Sequence, residues 1–430
     1  MIFASRLHAF FAGREVRGAS ALALSSIVAQ GIALMVTPLL SRIYAPEAFG
    51  YLTLIVSVTG TLTPAVALRL ESALMLPRRD SIATALLVLG LIAAALISVF
   101  AIVVLEICFA IGWLTPMANL PGFALWVGGI TFLSGVFILL GQFALRGRQY
   151  GAVAARNVTQ GTTTVLAQLG FAYTSTSASG LVIGYFIGRV VGVIPLLKSV
   201  RSRLRRFDGS DIRNGIRRYR LFPLLFAPAA LLNAGALAAP IIIAGLWFEV
   251  SDAGQFGMAE RILAVPLVIV AAGLGQVVEA RLALHYRERR AGSVRYYMRV
   301  SVFLAGFSVV VGIAVWIGAP VLVPFVLGVE WRETATIMQL LIPMLVTRLI
   351  ASPMSKAIVV IGWARRNFAL DIVRALLIAT VLLGCWWFRA PLETMVLWTS
   401  LAFALVYTVT WFVGLVGVRQ LDARTDVPSG

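Results

Sequence analysis

Charged residues are scarce in this chain of 430 amino acids: Asp, Glu, Lys and Arg together make up 13% of it, about half the share usual in soluble domains. The acids are scarcer still, 18 against 36 Lys and Arg. Cysteine occurs twice, at Cys108 and Cys385, each within apolar sequence, which excludes a disulfide framework and a thiolate metal site. His8 and His285 are the only histidines, and with no ligand spacing around them neither metal binding nor histidine catalysis is expected. A glycine-rich phosphate loop ending in lysine is missing, as are a nucleophile elbow and a nucleotide-binding domain. Neither enzymology nor ATP hydrolysis is indicated, and no cofactor is expected.

Apolar sequence fills the space. Hydrophobic residues are 60% of the chain and the mean hydropathy is +0.94. Runs of about 20 apolar residues, the length a bilayer-spanning helix requires, recur from Ala19 almost to the C-terminus. They are continuous rather than alternating, so the expectation is an all-α integral membrane protein and not a β-barrel. The apolar stretch behind Arg6, Arg14 and Arg17 is too long for a signal-peptide core and reads as an uncleaved first span. The expected spans are twelve: 19–40, 51–70, 82–109, 123–145, 153–173, 179–198, 221–247, 254–280, 299–319, 334–361, 367–388 and 393–418.

The connections alternate in charge. Arg78-Arg79, Arg146 with Arg148, the 198–220 stretch, "RERR" at 287–290, Arg365-Arg366, and Arg419 with Arg424 fall on the same side as the N-terminus. That places both termini in the cytoplasm. The stretch "KSVRSRLRRFDGSDIRNGIRRYR" carries no nucleic-acid motif, so its charge is read as anchoring to anionic lipid headgroups, with no nucleic-acid partner.

The two halves echo one another. "EAFGYLTLIVSVTGTLTPAVALRLESAL" at 47–74 and "GQFGMAERILAVPLVIVAAGLGQVVEARLAL" at 254–284 both open near Phe-Gly, cross a proline-bearing span and close on Arg-Leu. Pro38 has a counterpart in Pro240, and Pro64 in Pro266. Such prolines either kink helices for packing or mark discontinuous helices along a substrate path. "GYFIGRVVG" puts Gly184, Gly188 and Gly192 on one face, a close helix contact.

A charge retained inside an apolar helix costs roughly 2.5–3.5 kcal/mol and needs a partner or a cavity. Arg69, Glu279 and Lys356 lie near helix ends and can snorkel, and Glu260 with Arg261 lies near the other end of its helix. Asp371 and Arg374 stand three apart and can pair. Arg189 and Arg348 have no acid at i±3 or i±4, which leaves two readings open, pairing across helices or contact with an anionic substrate. These residues suggest a secondary transporter of an anion, with Arg69, Arg189, Arg348 and Arg374 as candidate substrate cations. Glu71, Asp371 and Glu260 are candidates for ion coupling or charge pairing.

"LSRIYAPEAFGYL" at 40–52, "RLESALMLPRR" at 69–79, "YRLFPLLFAPAALLNAGALAAPIII" at 219–243, "AGQFGMAERILAVPL" at 253–267 and "VLGVEWRETA" at 326–335 resemble the Wzx-type polysaccharide flippases of the MOP exporter superfamily. The resemblance implies two six-helix bundles, 1–205 and 206–430, and a bacterial inner-membrane location. It also implies movement of undecaprenyl-pyrophosphate-linked oligosaccharide between leaflets, driven by an ion gradient, with polysaccharide polymerase and chain-length machinery as partners. Under it, "RLESALMLPRR" is an interfacial anchor or the mouth of a substrate path. The alternatives are another exporter of that superfamily, or a polysaccharide polymerase or ligase, which should carry a large outer loop not found here.

Overall fold

The computed structural model describes residues 14–174, 176–204, 217–270, 274–288 and 292–425, and the regular structure among them is entirely helical. Arg6, His8, 205–216 and Arg289-Arg290, all named above, lie outside the described residues. The first half runs α1 (Arg14–Ile43), α2 (Pro46–Val66), α3 (Leu70–Ala73), α4 (Asp80–Ala110), a one-turn helix (Thr115–Met117), α5 (Phe123–Arg146), α6 (Tyr150–Ala172) and α7 (Ala178–Leu204). The second half opens with a π-helical turn (Phe222–Phe226) feeding α8 (Ala227–Trp247). It continues with α9 (Val250–Val270), α10 (Gln276–Glu288), α11 (Ser293–Leu327) and a second one-turn helix (Val329–Trp331), then α12 (Arg332–Leu340), α13 (Ile342–Met354), α14 (Lys356–Val360), α15 (Ala364–Trp387) and α16 (Leu392–Thr425). The element order of the first half recurs in the second, down to the one-turn helix after the long α4 and α11.

Ten helices among the described residues are long and apolar enough to cross a bilayer, so the chain is a multi-pass membrane protein. Two of the twelve expected spans, 153–173 and 254–280, fall on α6 and α9, which are not among those ten; α6 is too polar. Three expectations need correction. Pro38, Pro240 and Pro266 lie inside uninterrupted helices, so they do not mark breaks. The 51–70 span stops at Val66, because Leu68 (φ 53°) and Arg69 (φ 60°) are left-handed and end the helix. The 334–361 span is three helices in succession, interrupted at Leu341 and Ser355.

Two compact units form, one of Met1–Ala238 with Glu249–Gly254 and the other of Ala239–Phe248 with Gln255–Gly430. In the first, Leu70, Leu74, Leu86, Phe137, Phe143 and Leu196 belong to one buried apolar cluster drawn from α3, α4, α5 and α7. The fit of α6 on α7 accounts for the polar character of α6. Gln160, Thr164 and Gln168 recur every four residues and face Gly192, Gly188 and Gly184 in antiparallel order. A Cβ at Gly188 would collide with Thr164 Oγ1, and one at Gly184 would stand 2.6 Å from Gln168 Cγ. The polar stripe is thus turned onto bare backbone and away from lipid. Gln168 Nε2 donates to the Leu181 carbonyl (3.1 Å), and the Tyr44 hydroxyl donates to the carbonyl of Gln168 (2.9 Å). Gly50 of the Phe-Gly motif is required where the Val250 carbonyl meets α2, since a Cβ there would overlap that oxygen.

In the second unit Gln255 ties α9 to the segment before α12. Its Nε2 donates to the Glu330 carbonyl (2.7 Å) and its Oε1 accepts from the Thr334 amide (3.1 Å), beside the fully buried Trp331. The N-terminus of α11 has no cap of its own. Asp422, near the end of α16, caps it by accepting from the amides of Ser293 (3.0 Å) and Val294 (2.9 Å).

Candidate functional site

At the junction of α2 and α3 the left-handed pair Leu68-Arg69 turns the chain so that Glu71 is buried while Arg69 stays partly exposed. Arg69 Nη1 lies 3.6 Å from Glu71 Oε1, and the other carboxylate oxygen has no hydrogen-bond partner. Burial pushes the Glu71 carboxyl above the usual carboxylate range, and Arg69 only partly offsets it. Arg146, ending α5, braces the loop that follows. Its Nε and Nη2 donate to Asp80 Oδ1 (3.2 and 3.0 Å) and its Nη1 to the Leu74 carbonyl (3.1 Å). "RLESALMLPRR" therefore opens on a left-handed helix break with a buried carboxylate two residues on.

Deeper in the same unit, Arg189 of α7 donates from Nη2 to the Tyr185 hydroxyl (2.7 Å), while its Nε is buried without a partner. The guanidinium carbon lies 5.4 Å from the centroid of the Phe137 ring on α5. A second arginine shares that ring: Arg156 of α6 sits 4.0 Å from the same centroid. Arg156 is held by Asn157 Oδ1 (3.1 Å from Nε, 2.8 Å from Nη2), and Asn157 in turn donates to Ser25 and Ser26 of α1 (3.1 and 3.0 Å). No described carboxylate is within ion-pair distance of either guanidinium. Four helices thus position two half-buried, mutually repelling cations around one aromatic ring. Arg156 Nη1 also donates to the Phe137 carbonyl (3.4 Å), so the donor left buried without a partner in this cluster is Nε of Arg189.

Residues 39–336 match the polysaccharide biosynthesis protein family. The chain belongs to that family. No curated protein matches the sequence. Among solved structures, an inward-facing multidrug resistance transporter of the MATE family, in the MOP superfamily, superposes with a TM-score of 0.70 at 14% identity, covering 94% of this chain and 96% of the other. The lipid II flippase MurJ in an inward closed conformation gives 0.70 at 12% identity, covering 95% and 90%. A MOP superfamily transporter from Pyrococcus furiosus gives 0.56 at 13% identity, covering 94% and 96%. At these identities the likeness is one of fold, and the fold is that of MOP superfamily transporters.

In this polysaccharide biosynthesis protein the remaining expected site residues lie in the second unit. Asp371 and Arg374 pair on α15 (3.1 Å), with Arg374 buried and 5.6 Å from the Tyr407 ring centroid. Arg348 acts electrostatically on Glu260 without a direct ion pair among the described contacts, an influence its local sequence does not reveal. Lys356 pairs with Glu279 (3.4 Å), both half exposed, as expected of charges near helix ends. Arg156 was not among the sequence candidates. The available signal was its place at the head of the polar stripe 156, 160, 164 and 168, one residue per helical turn. Among the described residues no group of three or more His, Cys, Asp or Glu is placed to hold a metal ion.

Proposed function

We propose that this protein flips undecaprenyl-pyrophosphate-linked oligosaccharide across the bacterial inner membrane during surface polysaccharide assembly, drawing on an ion gradient. The observation that carries the reading is the Arg156–Arg189 pair, two cations on membrane helices with no described acid to neutralise them, in a chain of the polysaccharide biosynthesis family. In a low-dielectric setting such a pair offsets the cost of moving a pyrophosphate, and the isoprenoid tail stays in lipid. Arg69, Arg348 and Arg374 are further cations along the proposed path. Glu71, Asp371 and Glu260 are the candidate coupling carboxylates, and Glu71 suits that role best because it is buried with one carboxylate oxygen lacking a hydrogen-bond partner. The two six-helix bundles, 1–205 and 206–430, would alternate access to the two leaflets. The polymerase and chain-length machinery would take the delivered units.

The test is genetic and chemical together. Deleting the protein should deplete surface polysaccharide while lipid-linked repeat units accumulate on the cytoplasmic leaflet. Restoring Arg156→Gln/Arg189→Gln at normal abundance should not relieve the block. Normal processing of the repeat units at the periplasmic face in the deletion strain, with no related flippase present, would overturn the assignment.

A further inference from the structure

On the second unit, an apolar groove of about 290 Å³ runs between the start of α15 and the end of α16. Ala369, Val373, Phe412 and Val416 are among its walls, with Trp363 and Arg366 at one end. Val373 and Phe412 are 53% and 54% exposed, so the trough is open along its length. From Arg366 to Val373 it follows α15 for about 10 Å, roughly two-thirds of the 15 Å that one leaflet's hydrocarbon occupies.

The charged end is built. Gly362 (φ 81°) turns the chain sharply into α15, and the Trp363 ring is seated on Gly417 of α16, where a Cβ would stand 3.1 Å from Cζ3. The guanidinium of Arg366 then lies 3.7 Å from the Trp363 ring centroid. Arg365 and Arg366 both occupy the first turn of α15, where the helix dipole is positive and acids are the stabilising residues, yet that turn contains none. No described carboxylate pairs with either arginine. The nearest acids along the two helices are already engaged, Asp371 with Arg374 and Asp422 with the N-terminus of α11. Exposed Arg419 adds a third cation two residues beyond Gly417. Among the described residues the cations at the mouth have no acidic partner, and the trough behind them is walled by exposed apolar side chains.

We propose that this groove is a binding site for an anionic glycerophospholipid of the membrane, with the phosphate on Arg366 and Arg365 and one acyl chain laid along Ala369 to Val373 between α15 and α16. A tryptophan at the headgroup level with arginines beside it is the composition that an interfacial lipid site calls for. The site is distinct from the Arg156–Arg189 pair and does not depend on the transported substrate.

The full chain, purified in detergent and equilibrated with phosphatidylcholine vesicles containing phosphatidylglycerol, is delipidated and read by native mass spectrometry. Wild type should retain phosphatidylglycerol and release phosphatidylcholine. Arg365→Gln/Arg366→Gln should lower that retention about tenfold, Arg366→Lys should keep most of it, and Ala369→Phe, which fills the trough and leaves the arginines intact, should also lower it. If Ala369→Phe loses helical content or monodispersity, Val373→Phe replaces it. Equal retention of the two lipids, or unchanged retention in the double arginine variant, overturns the proposal. So does retention that survives blocking of the trough, which would leave phosphate contact alone, or displacement by undecaprenyl phosphate, which would make the site one for the substrate.

Discussion

Arg156 stands 4.0 Å from the centroid of the Phe137 ring, and the same ring serves Arg189. Phe137→Leu, which nearly conserves volume, removes the ring that attracts both cations and should destabilise the protein by about 1–2 kcal/mol. In an Arg156→Gln background the same substitution should cost less than half as much, because one cation is already gone. Thermal unfolding of the four proteins in the cycle measures the difference, and additive costs would show that the ring acts by packing alone.

Arg348 acts electrostatically on Glu260 with no ion pair between them among the described contacts. Arg348→Gln removes a favourable field from that carboxylate and should lower folded abundance. Adding Glu260→Gln should restore abundance. Comparing membrane levels of the single and double variants decides it, since a double variant no better than the single would show that the two charges are independent.

Gly188 meets Thr164 where α7 crosses α6. Gly188→Ala forces those backbones apart and should destabilise by about 1–3 kcal/mol, whereas Gly306→Ala, on α11 with nothing within 4 Å, should cost little. Melting temperatures of the two variants provide the comparison, and similar values would remove the role assigned to the glycine stripe.

Glu71 provides a pH test. Because its folded pKa is raised, ionising it in the native state costs stability. That cost is complete above the folded pKa and disappears below the unfolded one, so stability should rise as pH falls through the interval between them. Glu71→Gln should flatten this dependence and raise the melting temperature at neutral pH by roughly a few degrees. An unchanged pH profile would mean that Arg69 neutralises the carboxylate fully.

Topology is the fifth expectation. A cysteine at Ser251, in a background lacking Cys108 and Cys385, should react with an impermeant thiol reagent from the periplasmic side, and cysteines placed in 199–220 should not. The reverse pattern would invert the orientation.

The helical class, ten of the twelve expected spans and the contact face of α7 were legible in the linear chain. Each depends on apolar length or on i, i+4 spacing, which are local properties of a helix whose hydrogen bonds are its own. The Asp371–Arg374 pair was legible for the same reason, one helical turn separating the two side chains. Tertiary structure alone decided what lies opposite each face. Arg156, Arg189 and Phe137 come from three helices, and their meeting depends on the rotation and depth at which α5, α6 and α7 lock together, with Gly192 backing onto Gln160 and 3.2 Å available beside Phe137 Cε2. The acid near Arg348 lies on another helix for the same reason. Of the two readings left open for the prolines, the one that breaks helices fails, since Pro38, Pro240 and Pro266 sit in unbroken ones, whereas one break falls on Leu68 and Arg69, whose left-handed backbone no side-chain type announces. Periodicity tells a helix which side to bury, but which residue is met on that side depends on how two whole surfaces fit.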